Sequence, residues 1–267
     1  MKCLGLIAGN GRFPIAAAVS AKKRGIKITA VAFIGETSKS LEKLVEKIFW
    51  IRIGELAKLF EIFERENIKE AIMAGQIRPI HLFKPWIKKD AALKSFLRRV
   101  RDRRGDSLLE SIAEELSKKG IKLLDSSFLL SESLAEEGEL TARVPTADEW
   151  ENIKFGKIIV KEIAGLGIGQ TIIVKNKAIL AVEAIEGTDK AIRRAVRLGG
   201  SGAIVVKASR PNHDMRFDIP VIGLKTLKVL KKAKIKVLAV EAGKTLLIDK
   251  QKFLKEADRL NISIIAF

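Results

Sequence analysis

Between residue 1 and about residue 133 the chain alternates short β-rich runs with amphipathic helical stretches, which is the pattern of a parallel sheet covered by helices. Strands are expected at 2–7, 28–32, 48–51, 71–73 and 122–124. The stretch 14–23 opens on Pro14, which suits a first helical turn because the missing N–H would have no partner there. In 55–66 the spacing of Leu56, Leu59, Phe60 and Phe63 puts apolar side chains on one helical face, and Leu108, Leu109, Ile112 and Leu116 do the same in 107–119. At 131–145 the pattern loosens into Ser, Glu, Gly and Pro, the composition of a linker. A second set of elements follows, with helices at 148–164, 190–198, 227–234 and 253–260. Its strands are expected at 171–174, 178–184, 203–207, 237–240, 246–248 and 262–266, the first two joined by a tight turn at Asn176-Lys177. A chain of 267 residues that is 47% hydrophobic has enough core for two such domains. The expected division is 1–133 and 134–267, both α/β.

The formal charge of +18 selects an anionic partner: a phosphate-rich small molecule, nucleic acid, or the anionic face of a membrane. Nucleic acid ranks second. Aromatic residues make up only 6% of the chain with no Tyr, so base-stacking platforms are scarce, and no helix-turn-helix, zinc-finger or RNP pattern is present. A single cysteine, Cys3, excludes a disulfide framework and fits a reducing cytoplasm. The opening apolar run breaks at Gly9, too soon for a signal-peptide core, and no stretch approaches the roughly 18 apolar residues of a membrane helix. The expectation is a cytoplasmic protein, soluble or peripheral at a membrane.

Several segments carry chemistry. Gly9-Asn10-Gly11-Arg12 lies between the first strand and the first helix, where backbone N–H groups and the positive helix end can receive a pyrophosphate. The third glycine of a dinucleotide fingerprint is replaced by Phe13 or Pro14, and no acid clearly closes the second strand, so nicotinamide is not expected. Gly75-Gln76-Ile77-Arg78 follows the fourth strand and should open on the same sheet edge; the bland alternative for both turns is steric. Asp106 or Ser107 is expected to cap a helix. Glu183, Glu186 and Asp189 gather after a strand and before a helix, a cluster that can bind a metal, although Thr188 or Asp189 would also serve as a simple N-cap. Val240-Glu-Ala-Gly243 repeats the pattern of a strand ending in acid and glycine. Between two prolines, Arg210, His213, Asp214, Arg216 and Asp218 crowd a segment that is neither helix nor strand. Carboxylates four residues apart can share Mg²⁺ while guanidiniums hold phosphate oxygens. The alternative is a surface ion-pair network, common in a chain with 31% charged residues. His81 and His213 form no spaced metal pair.

Several blocks, in order, resemble the UDP-2,3-diacylglucosamine pyrophosphatases of the LpxI family from lipid A biosynthesis. They are Ile-Ala-Gly-x-Gly-x-x-Pro at 7–14, Gly-x-Leu-x-x-Leu at 54–59, Ala-Gly-x-Ile-x-Pro at 74–79, Gly-Asp-x-Leu-Leu at 105–109, Glu-Gly-Thr-Asp at 186–189, the loop 207–223 and Val-Glu-Ala-Gly at 240–243. The resemblance spans essentially the whole chain. It implies a Rossmann-like N-terminal domain, a distinct α/β C-terminal domain and a ligand cleft between them. The implied reaction is Mg²⁺-dependent hydrolysis of UDP-2,3-diacylglucosamine to UMP and 2,3-diacylglucosamine 1-phosphate (lipid X). It carries an essential aspartate onto Asp214 or Asp218, with Arg216 beside them. Asp214, Asp218, Glu186 and Asp189 are the expected metal ligands. Substrate contacts are expected from Gly9, Asn10, Gly11, Arg12, Gly75, Gln76, Arg78, Gly187, Thr188, Lys207 and Arg210. The loop has Pro-Asn-His-Asp where many relatives have Pro-Gly-Gln-Asp, which leaves His213 without an assigned role. An apolar cavity for two acyl chains, transient contact with the anionic inner-membrane surface and optional homodimerisation complete the expectation. The competing classes are a non-enzymatic nucleotide- or nucleic-acid-binding module and a nicotinamide-dependent nucleotide-sugar enzyme, the latter disfavoured by the absence of Tyr.

Overall fold

The computed structural model describes residues 3–77, 91, 93–94, 105–211, 214–217 and 219–267, and these form two compact units. Met1–Ser131 with Asp214–Asp218 make the first; Glu132–His213 and Ile219–Phe267 make the second. The short return of 214–218 to the first unit has a physical cause in what Phe217 buries. It is 4% exposed and joins the apolar cluster of Leu59, Phe60, Phe63 and Leu116. Ser126 holds the same turn, its N–H donating to Met215 O (2.8 Å) and its hydroxyl to Arg216 O (2.7 Å).

In the first unit β1 (Cys3–Ala8), β2 (Lys27–Phe33), β3 (Lys47–Ile51), β4 (Glu70–Ala74) and β5 (Lys122–Leu123) form one parallel sheet in the order β3-β2-β1-β4-β5. The central strands are buried apolar runs because helices cover both faces. Helix α1 (Phe13–Lys23) lies close to the sheet through Ala17, Ala18 and Ala21, all fully buried. Helix α2 (Leu56–Arg65) buries Leu59, Phe60, Ile62 and Phe63; of the expected stripe Leu56 is only partly buried, and Ile62 is added. Helix α3 (Gly105–Lys118) inserts Leu116 and Ala113 beside them. A 3₁₀ turn at Lys39–Lys43 had no signal in the sequence.

The second unit is built on a mixed sheet in the order β6-β13-β11-β9-β7-β8. Its parallel centre is β9 (Ile204–Lys207), β11 (Val237–Val240) and β13 (Ser263–Ala266). β7 (Thr171–Lys175) and β8 (Ala178–Val182) form a hairpin on one side of that centre, and β6 (Gly138–Glu139) pairs antiparallel on the other. At the hairpin tip Asn176 (φ 51°) and Lys177 (φ 55°) both take the left-handed conformation that a two-residue turn between twisted strands needs. Helix α4 (Ala147–Gly165) starts on a Thr146/Glu149 capping box and packs on one face through Gly156, where a Cβ would stand 2.7 Å from Val206. The other face carries α5 (Thr188–Gly199), α6 (Leu224–Lys232) and α7 (Lys250–Arg259) over a core including Ile192, Leu227, Leu230 and Phe253. A two-stranded ribbon of β10 (Val221–Ile222) and β12 (Leu246–Leu247) completes it. The stretch 131–145, expected as a loose linker, is anchored. Ala135 is 1% exposed in the second core, and its N–H donates to Thr245 O (2.9 Å).

Candidate active site

In the first unit the chain builds β1, β2 and β3 outward, then returns to place β4 on the other side of β1. That reversal opens the crevice at the carboxyl ends of β1 and β4 where open α/β sheets bind ligands. Gly9-Asn10-Gly11 and Gly75-Gln76 meet there. Gly9 N–H donates to Ala74 O (2.8 Å) and Asn10 N–H to Gln76 O (2.9 Å). The two turns touch backbone to backbone: a Cβ on Gly9 would come 2.7 Å from Gly75, and one on Gly75, whose φ is +82°, would run into Asn10 O. Gly11 (φ +89°) faces open space, and exposed Arg12 stands at the N-cap of α1. Arg78, expected beside them, lies outside the described residues.

An acid beyond the second strand reaches the glycine turn, a contact the sequence reading did not foresee. Asn10 Nδ2 donates to Glu36 Oε2 (2.7 Å), and Glu36 is only 9% exposed. The sequence concealed it because Glu36 stands three residues beyond β2, on a turn that doubles back. The N–H groups of Glu36 and Thr37 both donate to Phe33 O, and the Thr37 hydroxyl links Phe33 N–H to Ala8 O.

The second unit gathers polar side chains at the start of β7 and the ends of β8, β9 and β11. Lys207 Nζ donates to Thr171 Oγ1 (3.1 Å) and lies 3.7 Å from Glu183 Oε2, while Thr188 Oγ1 donates to Glu183 Oε1 (2.7 Å). Burial pushes the Glu183 carboxyl up; the Lys207 ammonium and the Thr171 and Thr188 hydroxyls outweigh it and leave the pKa below the ordinary value. Next to it, Glu241 accepts from Ser209 N–H (2.8 Å), Lys161 and Lys244 (3.1 Å). Here too burial raises the pKa, and hydrogen bonds from Lys161, Lys244 and the Ser209 N–H bring it below normal. Glu183 thus has one ammonium partner and Glu241 has two. Glu183 Oε2 and the hydroxyls of Ser209 and Thr245 are buried without a hydrogen-bond partner among the described residues. Glu241, Lys161 and Ser209 were not singled out as site residues; the strand-acid-glycine pattern of 240–243 was the available signal.

The charged loop is tightly organised where it is described. Arg216 Nε donates to both Asp214 oxygens (3.0 Å each), Arg216 Nη2 to Oδ2 (2.6 Å) and Arg216 N–H to Oδ1 (2.9 Å), and this pairing holds the guanidinium pKa above its usual value. Phe217 N–H closes the turn on Asp214 O. Arg210 is half-buried at the loop's start. Asp218 and His213 lie outside the described residues.

Two domain models match the chain, the LpxI N-terminal domain over residues 3–133 and the LpxI C-terminal domain over 136–265. The chain belongs to the LpxI family. It is 28% identical, over 99% of its length and 97% of the relative's, to the UDP-2,3-diacylglucosamine pyrophosphatase LpxI of Caulobacter vibrioides. Solved structures give only slight likeness. The biotin carboxylase domain of the Hydrogenobacter thermophilus 2-oxoglutarate carboxylase aligns with a TM-score of 0.30 and 12% identity over 78% of this chain and 44% of that one. Phosphoribosylglycinamide synthetase from Anaerococcus prevotii gives 0.30 and 14% over 76% and 44%. The LpxI chain spans less than half of those proteins, and overlaps so weak carry no argument.

Within this LpxI chain the four carboxylates expected to hold a metal are not gathered into one described cluster. Glu186 pairs with Arg194 (2.6 Å) and Asp189 with Lys225 (3.0 Å), each drawn to its own base. Among the described residues no group of three His, Cys, Asp or Glu could hold an ion. Asp214 remains a half-exposed carboxylate on a loop and is of the right chemistry for Mg²⁺, which usually takes one or two carboxylates together with substrate phosphates. Gly187 (φ +84°) caps α5, and Thr188 turns its hydroxyl to Glu183.

Proposed function

We propose that this chain hydrolyses UDP-2,3-diacylglucosamine to UMP and 2,3-diacylglucosamine 1-phosphate. The observation that carries the proposal is the end-to-end match to the Caulobacter enzyme of that name. Physical chemistry supports it. A pyrophosphate repels an incoming oxygen nucleophile, so catalysis rests on positioning and on neutralising charge. With the Gly9 and Asn10 N–H groups spent on Ala74 O and Gln76 O, the donors left for phosphate oxygens are those at Gly11 and the N-terminus of α1, with Arg12 and Arg78 as the cationic contributors. Lys207, Thr188, Gly187 and Arg210 are the corresponding groups of the second unit. Arg216, forked onto Asp214, adds positive charge beside it, and Asp214 or Asp218 orients the attacking water. Mg²⁺ belongs to the proposal, with Asp214 and Asp218 as its protein ligands; when bound it supplies neutralisation of the phosphate charge.

The substrate is a lipid, and this chain carries a large positive charge, so the proposal includes transient contact with anionic inner-membrane lipids. Asp214→Ala and Asp218→Ala should each be folded by circular dichroism, and at least one should lose turnover about a hundredfold or more. Near-normal rates in both would remove the loop from the catalytic machinery. Binding of RNA or DNA that falls steeply with salt, without affinity for UDP-2,3-diacylglucosamine, would favour the binding-module reading instead.

A further inference from the structure

We infer that Glu36 is a ribose-binding residue: its carboxylate accepts a hydrogen bond from a sugar hydroxyl of a uridine nucleotide seated on the glycine crevice of the first unit. The identity of the nucleotide rests on the function proposed above; the role of Glu36 comes from its placement. β2 lies directly beside β1, so the turn after β2 stands next to the glycine turn after β1 on the same sheet edge. A crevice of this kind has two chemically distinct ends. At one end, the backbone at Gly11 and the N-terminus of α1 favour negative charge. Glu36, at the other, is an acceptor only and repels phosphate, so the group it suits is a neutral donor such as a ribose diol.

Burial sharpens the argument. A carboxylate that is 9% exposed must be compensated by donors, and Asn10 Nδ2 at 2.7 Å supplies one. A carboxylate offers about four acceptor positions, so a ligand hydroxyl can add to one that already holds Asn10. The position is also held firmly. Both N–H groups of the turn and the Thr37 hydroxyl are tied to β1 and β2, which limits how far Glu36 can retreat. Asn10 consequently links the two ends: its backbone belongs to the glycine turn, its side chain to the acid.

The test is calorimetric binding of UMP, 2′-deoxy-UMP and 3′-deoxy-UMP to the full-length wild type and to Glu36→Gln, a near-isosteric change that keeps an acceptor for Asn10. The wild type should bind UMP about ten- to a hundredfold more tightly than at least one deoxy analogue, the range expected for a hydrogen bond to a charged acceptor. In Glu36→Gln that ratio should collapse towards one, while Tm stays close to wild type. With UDP-2,3-diacylglucosamine the variant should raise KM more than it lowers kcat. Equal wild-type affinity for all three nucleotides, no binding of UMP, or an unchanged ratio in the variant would each overturn the inference. The binding and Tm readouts do not depend on turnover. An active enzyme indifferent to ribose hydroxyls sinks this inference alone, whereas ribose-selective binding without cleavage sinks only the proposed reaction.

Discussion

Removing the Lys207 ammonium should destabilise the second unit far more than any surface charge would. Lys207 and Glu183 lie 3.7 Å apart with side chains 10% and 14% exposed. At that separation the attraction is about 4 kcal/mol for an effective dielectric constant near 20. Lys207→Met keeps the packed stem but leaves Glu183 facing burial with only its hydroxyl partners, and breaking one side of a buried pair costs about 3–5 kcal/mol. The assay is urea unfolding of wild type, Lys207→Met, Glu183→Gln and the double variant. The double variant should lose less than the sum of the singles, with a coupling of about 2 kcal/mol. The pH dependence follows from the direction of the shift. In the wild type the Glu183 pKa is depressed, so its contribution is present above the unfolded value and is lost as pH falls through the folded one. In Lys207→Met the unopposed burial raises that pKa, so the variant loses stability as pH rises. The gap between the two proteins should therefore be widest near neutrality and narrow towards pH 4. A loss under about 1 kcal/mol, additive singles, or a gap that widens in acid would refute this reasoning.

Three further outcomes are expected. Gly75→Ala combines a left-handed backbone with a collision at Asn10 O and should cost about 2–4 kcal/mol and weaken UMP binding, whereas Gly25→Ala, also left-handed but facing open space, should cost about 1 kcal/mol; urea midpoints and calorimetry separate them. Chelation with EDTA should abolish hydrolysis and readdition of Mg²⁺ should restore it, as followed by UMP release; activity that survives exhaustive chelation would remove the metal from the proposal. Sedimentation with vesicles should show binding to anionic but not to zwitterionic lipid, weakening as salt is raised from 50 to 500 mM; equal binding to both would exclude charge as the cause.

Elements with a clear period were legible in the sequence. The stripe of Leu59, Phe60 and Phe63 sets α2, and a buried apolar run bounded by glycine sets β1, because burial of one face or both leaves a pattern in neighbouring residues. The Asn176-Lys177 turn was legible for a similar reason, since Asn readily takes the left-handed conformation found there. Two-residue strands such as β6 and β10 have no period to detect. Glycine turns after β1 and β4 could be read as ligand-facing from their place in a parallel sheet, yet Glu36 could not, because its approach to Asn10 depends on how the turn after Phe33 folds back. Likewise Glu186 was taken by Arg194, eight residues further on in α5, and Asp189 by Lys225, which tertiary structure brings up on α6. The Asp214–Arg216 fork is a local contact two residues apart, and it matches the ion-pair alternative weighed for that loop. The burial of Phe217 in the first core had no local signal at all.

The most direct measurement is product analysis by mass spectrometry after incubating the purified protein with UDP-2,3-diacylglucosamine and Mg²⁺. The account predicts UMP and 2,3-diacylglucosamine 1-phosphate in equal amounts. Intact substrate after prolonged incubation of demonstrably folded protein, with Mg²⁺ or any other divalent ion, would contradict it.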